Sequence, residues 1–315
     1  MSNIVARIGI YGDTHLCSKN YGGHKDYATE SLNYYRKVID LAEAKGVTHL
    51  VCLGDFAQNR FHALEYRLKV EHELARARDL VNGNHYCICG NHDIATFGMT
   101  ERDYYIQRGL FKESENLTFK GLNLYMADYR KETEIELPAK DRVDIILAHN
   151  FFRFKSTELP QFGEAIELDN FEQWYGADII FTGHIHLTSS YSGNIIKGDK
   201  AHKALVFNVG CPCRMSYEKK MQEVGNVIYI CVYDTGEVKI EKDQFELLPL
   251  EESFNLVDKE TKDKLQKLKH ADVSEIAAQL DNHTRFAGNP IDIINSLDVE
   301  QKYKDKAISL LKEED

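Results

Sequence analysis

The stretch Ala177-Asp-Ile-Ile-Phe-Thr-Gly183-His184-Ile185-His186 sets two imidazoles one residue apart, directly after an apolar run. Imidazoles are costly to place at the end of a buried strand unless something there needs them. Four other apolar runs end the same way. "VARIGIYGDTH" leads to Asp13 and His15, "THLVCLGDF" to Asp55, "NHYCICGNHD" to Asn91, His92 and Asp93, and "RVDIILAHN" to His149. Imidazole suits iron, zinc and nickel, while carboxylate suits magnesium and manganese. A mixed set keeps manganese, iron and zinc all in play. Asp55 has two oxygens with which to bridge two ions. Asp13, His15 and His186 would complete the shell of one, and Asn91, His149 and His184 that of the other. Two cations about 3.5–4 Å apart form the clamp used in phosphoester hydrolysis.

Five strand ends must meet for this to work. In an α/β sheet, ligands gather outside the carboxyl ends of the strands. The five runs read as buried strands, and helical patterns lie between them. Residues 26–45 carry Leu32, Tyr35, Val38, Ile39 and Ala42 at spacings of three and four, and Gly46 ends the pattern. Residues 61–82 carry Phe61, Leu64, Leu68, Ala75 and Leu80 before Asn82-Gly83. Further strands are predicted at 123–130, 204–210, 226–234 and 237–245, the last two joined by a hairpin turn at Asp234-Thr235-Gly236. That is too many for one open sheet and predicts two packed sheets with helices outside. Beyond Leu250 the chain is charged, with helical patterns near 257–280 and 299–313. The expected organisation is a domain over residues 1–245 and a small helical appendage, cap or docking segment over 246–315.

The 315 residues carry 39 Lys and Arg against 50 Asp and Glu, a formal charge of −11. This counts against extensive gripping of nucleic-acid phosphates by the chain alone. No apolar run approaches the roughly 20 residues that span a bilayer, and the N-terminus runs into a motif without a long apolar signal core. These features predict a cytoplasmic protein without a membrane span. The seven cysteines, several within apolar runs, read as reduced core residues.

The ordered set Asp13-x-His15, Gly54-Asp55, Gly90-Asn91-His92-Asp93, His149 and Gly183-His184-x-His186 resembles the calcineurin-like metallophosphoesterase superfamily over about residues 4–240. The resemblance implies a four-layer α/β/β/α sandwich and two divalent ions, manganese first, with iron, zinc or magnesium as alternatives. It implies metal ligation by Asp13, His15, Asp55, Asn91, His149, His184 and His186. His92 would be the non-ligand acid at the leaving oxygen, and Asp93 would hold its loop. Gln58 departs from the pattern, because many members carry Asp or His there. Arg60 would contact phosphate instead.

"GDTHL" and "FNVGCPCRMSYEKK" (207–220) resemble the SbcD-type DNA repair nucleases, with Cys211 standing where Ser is usual and Arg214 a second candidate for phosphate. That likeness implies DNA as substrate and an SbcC-type ATPase as partner, and leaves room for a homodimer. Tyr104, Tyr105, Tyr125 and Tyr129 would either border a substrate groove, stacking on bases, or be packing residues. His24 and His62 are further candidates for the rim of the site. The alternative substrates are a cyclic nucleotide or other small diester, or a phosphoprotein.

Overall fold

The computed structural model describes residues 2–20, 23–58, 62–95, 98–129, 143–154, 165–168, 177–197, 200–215 and 223–254, with residues 301, 304, 305 and 308. The strands are β1 (Ile4–Tyr11), β2 (His49–Cys52), β3 (His85–Cys87), β4 (Leu117–Phe119), β5 (Leu122–Ala127), β6 (Ile145–Ala148), β7 (Phe152–Arg153), β8 (Ile166–Glu167), β9 (Ile179–Thr182), β10 (Ser189–Lys197), β11 (Lys200–Asn208), β12 (Val224–Tyr233) and β13 (Val238–Glu246). The helices are α1 (Tyr27–Lys45), α2 (Leu64–Leu80), α3 (Glu101–Gln107) and the single turn α4 (Leu250–Ser253).

Two compact units are present. The first takes residues 1–18, 28–214 and 222–247; the second takes 19–27, 215–221 and 248–315. The first holds a five-stranded sheet, ordered β13-β12-β1-β2-β3, and a six-stranded sheet, ordered β10-β11-β9-β6-β5-β4. Both are mixed. The strands that lead to the candidate ligands run parallel to one another within each sheet: β1, β2 and β3 in one, β6 and β9 in the other.

Alternation along the strands explains the layers. In β12, Ile228, Ile230 and Val232 face the second sheet and pack with Leu124, Ile145, Leu147 and Phe181. Val227, Tyr229 and Cys231 face the other way, onto Tyr35, Val38, Ile39, Val70 and Leu74 of α1 and α2. A strand buried on both faces must be apolar at successive positions, and β12 is buried from Gly225 to Val232. The outer face of the six-stranded sheet packs on Phe152, Phe154, Ile166 and Leu168. The sandwich is therefore two mixed sheets with α1 and α2 on one outside face. The helices described on the first unit's sheets lie on this one face.

The expected strands and α1 fall where the patterns put them, and the hairpin turn closes through Gly236 N–H donating to Tyr233 O at 2.9 Å. On α2 the expected face is wrong. Leu64 and Leu68 are 69% and 56% exposed, and the buried stripe is Tyr66, Val70, Leu74 and Ala77 with Glu73. The helix begins at Leu64 rather than near 61, and its contact with the sheet selects the second stripe. Glu73 is tolerated there because Arg36 Nε donates to its carboxylate at 2.7 Å. The short α3 and strands β4, β7, β8 and β10 were not expected. In the second unit, His24 packs on Phe254 with ring centroids 3.9 Å apart. The helical patterns near 257–280 and 299–313 lie almost wholly outside the described residues.

Candidate metal centre

Each candidate ligand sits on the turn that leaves a strand, and those turns are bound to one another. After β1 and β2, His15 N–H donates to Asp55 O at 3.0 Å and Leu16 N–H to Phe56 O at 2.9 Å. Thr14 Oγ1 adds a bond to Phe56 O at 2.7 Å. His15, Asp55 and His184 have φ of 44°, 47° and 73°, in the left-handed region that side-chain-bearing residues seldom adopt. Such strain persists where the surroundings over-determine it, and it collects at functional sites. Gly54, at φ 100°, precedes Asp55; a Cβ there would lie 2.6 Å from His149 Nδ1 and 2.9 Å from Gly90 Cα.

The carboxylates orient the backbone as well as the site. Asp13 Oδ2 accepts from His184 N–H at 2.8 Å, and Asp55 Oδ1 accepts from His92 N–H at 2.8 Å. Asp93 Oδ2 accepts from both Asp55 N–H, at 2.8 Å, and Gly90 N–H, at 2.9 Å. Asp93 thus holds its loop against Asp55, as the resemblance implied.

The side-chain donor atoms converge on two neighbouring points. Around the first, His15 Nε2 lies 3.0 Å from His186 Nε2, and His186 Nε2 lies 3.9 Å from Asp13 Oδ2. Around the second, Asn91 Oδ1 lies 3.0 Å from His149 Nε2 and 2.9 Å from His184 Nδ1. Asp55 Oδ2 stands between them, 3.7 Å from His15 Nε2 and 3.3 Å from His149 Nε2. His149 Nδ1 donates to Leu53 O at 2.7 Å, which leaves Nε2 as its coordinating atom. Asp13, His15 and His186 form one group able to hold a cation, Asp13, Asp55 and His149 another, and His15, Asp55 and His92 a third.

The calcineurin-like phosphoesterase profile matches residues 6–187, more than half of the chain, and its span closes one residue beyond His186. The chain belongs to the calcineurin-like phosphoesterase family. No curated protein sequence matches this phosphoesterase. Among solved structures it is similar to Yfce, a phosphoesterase from E. coli, at 14% identity over 77% of this chain and 100% of the other, TM-score 0.37. It is likewise similar to a dimetal phosphatase from Danio rerio, at 10% identity over 78% and 100%, TM-score 0.42. A third is Vps29 from Chaetomium thermophilum, at 10% identity over 78% and 100%, TM-score 0.35.

The electrostatics of the phosphoesterase centre suit cations. Burial pulls the His184 and His186 imidazoles down, each to about 4, and holds His15 well below its usual range. These three are neutral at pH 7, the form that ligates metal. Burial also opposes charge on His149, but Asp55 and Asp13 outweigh it and hold that imidazole up at about 10. Burial would raise Asp55, yet His149 dominates and keeps this carboxylate ionised far below its usual range. Burial lifts Asp13 to about 7, with His149 opposing and Asp55 reinforcing the rise. Asp13 Oδ1 is buried and has no hydrogen-bond partner among the described residues. An unsatisfied acceptor among imidazoles is what a cation would satisfy. The donor set, four imidazoles with Asp13, Asp55 and Asn91, fits divalent ions of borderline hardness.

The outlying candidates divide. His92 is exposed, its ring edge-on to His15 at 5.0 Å between centroids. Arg60 lies outside the described residues. Arg214 is 5% exposed, within the buried run 211–215. His62 is no rim residue: it is 6% exposed, and its Nε2 donates to Leu16 O at 2.9 Å. His24 is 2% exposed. Tyr105 is fully buried, and Tyr104 donates to Glu71 at 2.6 Å under the Arg67 guanidinium, so both are packing residues. Tyr129 stands against His149 and His184. The carbonyl of Leu53 had no sequence signal, since every residue carries one.

Proposed function

We infer that the chain is a dinuclear metal-dependent phosphodiesterase, and that its substrate is DNA, cut in the manner of the SbcD-type nucleases. The observation that carries the dinuclear reading is the position of Asp55 Oδ2 between His15 Nε2 and His149 Nε2. On this reading Asp13, His15, Asp55 and His186 hold one ion, and Asp55, Asn91, His149 and His184 the other. Divalent cations bound there would polarise the phosphoryl oxygens and lower the pKa of an attacking water. The chain's own residues do the rest. Asp55 keeps the two positions adjacent. Leu53 O holds the Nδ1 proton of His149, so that Nε2 faces inward. Asp13 orients the His184 turn through its backbone N–H. His92, the exposed imidazole of the cluster, carries the proton for the leaving oxygen, and its backbone N–H fixes its place by bonding Asp55.

Support for DNA comes from the likeness of "GDTHL" and residues 207–220 to the SbcD-type nucleases. Arg60 and Arg214 are the phosphate contacts on that reading, manganese the preferred ion, an SbcC-type ATPase the partner, a homodimer the assembly and the cytoplasm the compartment. None of the seven cysteines forms a disulfide, and the cytosol keeps thiols reduced. Among the described residues no helix is long and apolar enough to cross a membrane.

The test is metal analysis of the purified protein, followed by a substrate panel in manganese. The panel holds labelled single- and double-stranded DNA, a cyclic nucleotide, a small aryl diester and a phosphomonoester. Cleavage of DNA is the expected result. Good turnover of a small diester without DNA cleavage would replace the nuclease reading with a small-molecule phosphodiesterase, and a preference for the monoester would replace it with a phosphatase.

A further inference from the structure

Tyr129 follows β5, in a stretch that supplies no candidate ligand, yet its ring lies beside two of them. It stacks on His184 with centroids 6.0 Å apart and planes 29° apart, and it meets His149 nearly edge-on at 6.0 Å and 76°. The two imidazoles stand edge to face at 5.3 Å. Three flat rings therefore pack as a cluster, and two of them point nitrogens at Asn91 Oδ1.

The tyrosine is itself anchored. Its backbone N–H donates to Cys89 O at 2.7 Å, and Asp128 Oδ1 accepts from Cys89 N–H at 2.8 Å and from Ser114 Oγ at 2.6 Å. Cys89 immediately precedes Gly90-Asn91-His92-Asp93. The 128–129 segment thus grips the start of the Asn91 turn with its backbone and an acid, and braces the His149 and His184 rings with its aromatic face. All three donors on the Asn91 side of Asp55 are touched or tethered. On the other side of Asp55, His15 and His186 pack on each other, with centroids 4.8 Å apart.

We propose that Tyr129 is a positioning residue for one ion of the pair, the one held by Asn91, His149 and His184, and that its ring rather than its hydroxyl does this. Groups that orient metal-bound imidazoles typically change metal affinity by about 10–100-fold when removed. The inference rests on the two-ion reading above. Its prediction is asymmetric: loss of the ring weakens one binding step and spares the other.

The experiment is manganese titration of the full chain after chelator stripping, with bound and free ion counted by electron paramagnetic resonance. Wild type takes up two ions. Tyr129→Leu should keep one step unchanged and weaken the other by roughly 10–100-fold, while Tyr129→Phe should follow wild type. Asp128→Ala keeps the ring and the Tyr129 N–H bond to Cys89 but removes the carboxylate tether, and should weaken the same step by a smaller factor. It decides the matter if circular dichroism shows that Tyr129→Leu has not folded. Two wild-type steps in both Tyr129→Leu and Asp128→Ala, or equal weakening of both steps, would overturn the proposal. So would a Tyr129→Phe variant as defective as Tyr129→Leu. A wild-type protein that takes up fewer than two ions would overturn the two-ion reading and this proposal with it, an outcome visible before any variant is made.

Discussion

Asp55 is the residue on which both candidate ion positions depend, because one carboxylate oxygen faces His15 on one side and His149 on the other. Asp55→Asn should therefore cost more metal than any other single ligand change, as measured by metal content after dialysis. His92 is exposed and edge-on to His15. His92→Ala should retain both ions and lose about 10²–10⁴ in rate, the usual effect of a missing acid–base group. Metal loss in His92→Ala equal to that in His184→Ala would reassign it as a ligand. His149 makes the pH dependence unusual. Its folded pKa of about 10 stands above the unfolded value near 6.5. In the metal-free protein its contribution to stability is fully present below about pH 6.5 and is lost as pH rises toward 10. Coordination through Nε2 requires that proton to leave. Manganese uptake at pH 8 should thus release about one proton per chain from this site, and affinity should climb with pH. Uptake with no acidification of a weakly buffered solution would count against ligation by His149.

At the scale of elements, the turns after the strands are built with little slack. A Cβ on Gly183 would collide with the Asp13 carboxylate and lie 2.8 Å from Leu53 O. Gly183→Ala should destabilise the protein by about 1–3 kcal/mol and deplete metal, since its neighbours are an oriented carboxylate and the carbonyl that fixes His149. Strand β3 carries a different liability. His85 is wholly buried, with its Nε2 3.0 Å from the Tyr11 hydroxyl, and burial pulls its pKa to about 3. This is a depressed pKa, so the unfolded chain binds the extra proton first, and stability falls as pH drops from about 6.5 toward 3. Each unit in that window removes about 1.4 kcal/mol through this residue. His85→Leu should flatten the acid limb by about 2–3 kcal/mol between pH 6.5 and 4.5 in urea melts, while costing about 0.5–1.5 kcal/mol at neutral pH for the lost hydrogen bond to the Tyr11 hydroxyl.

Within the first unit, both sheets contribute to one centre: β1, β2 and β3 lead to Asp13, His15, Asp55 and Asn91, and β6 and β9 to His149, His184 and His186. Cations bound there would tie the open ends of the two sheets together and would bind only the folded form. Manganese at a hundredfold excess over its dissociation constant should stabilise the protein by about 2.7 kcal/mol. Chelation should lower the melting temperature, and Asp55→Asn should abolish the difference. A melting temperature indifferent to both added manganese and chelator in the wild type would count against cation binding by the folded protein.

Much of this was legible beforehand because two signals coincided. Apolar runs of strand length ended in a side chain able to ligate metal, preceded by glycine in every run but the one before His149, and the order of those runs required parallel strands whose ends meet. Residue type and period carry that information without coordinates. Periodicity failed on α2, where Leu64 and Leu68 make a plausible stripe but Tyr66, Val70, Leu74 and Ala77 meet the sheet. The short α3 escaped because the seven residues Glu101–Gln107 are too few to show a helical repeat, although Thr100 and Asp103 form a reciprocal cap, at 3.0 and 3.1 Å, that the spacing Thr-x-x-Asp announces. From the sequence alone came the candidate ligand types, their order and the sandwich that gathers them, since these follow from side-chain chemistry and strand period. The tertiary structure alone decided that Leu53 O sets the His149 tautomer, that Asp93 clamps Asp55, and that Tyr129 packs on His184. Those contacts join residues from 38 to 96 positions apart, or run through backbone atoms common to every residue, and only close packing determines which of them meet.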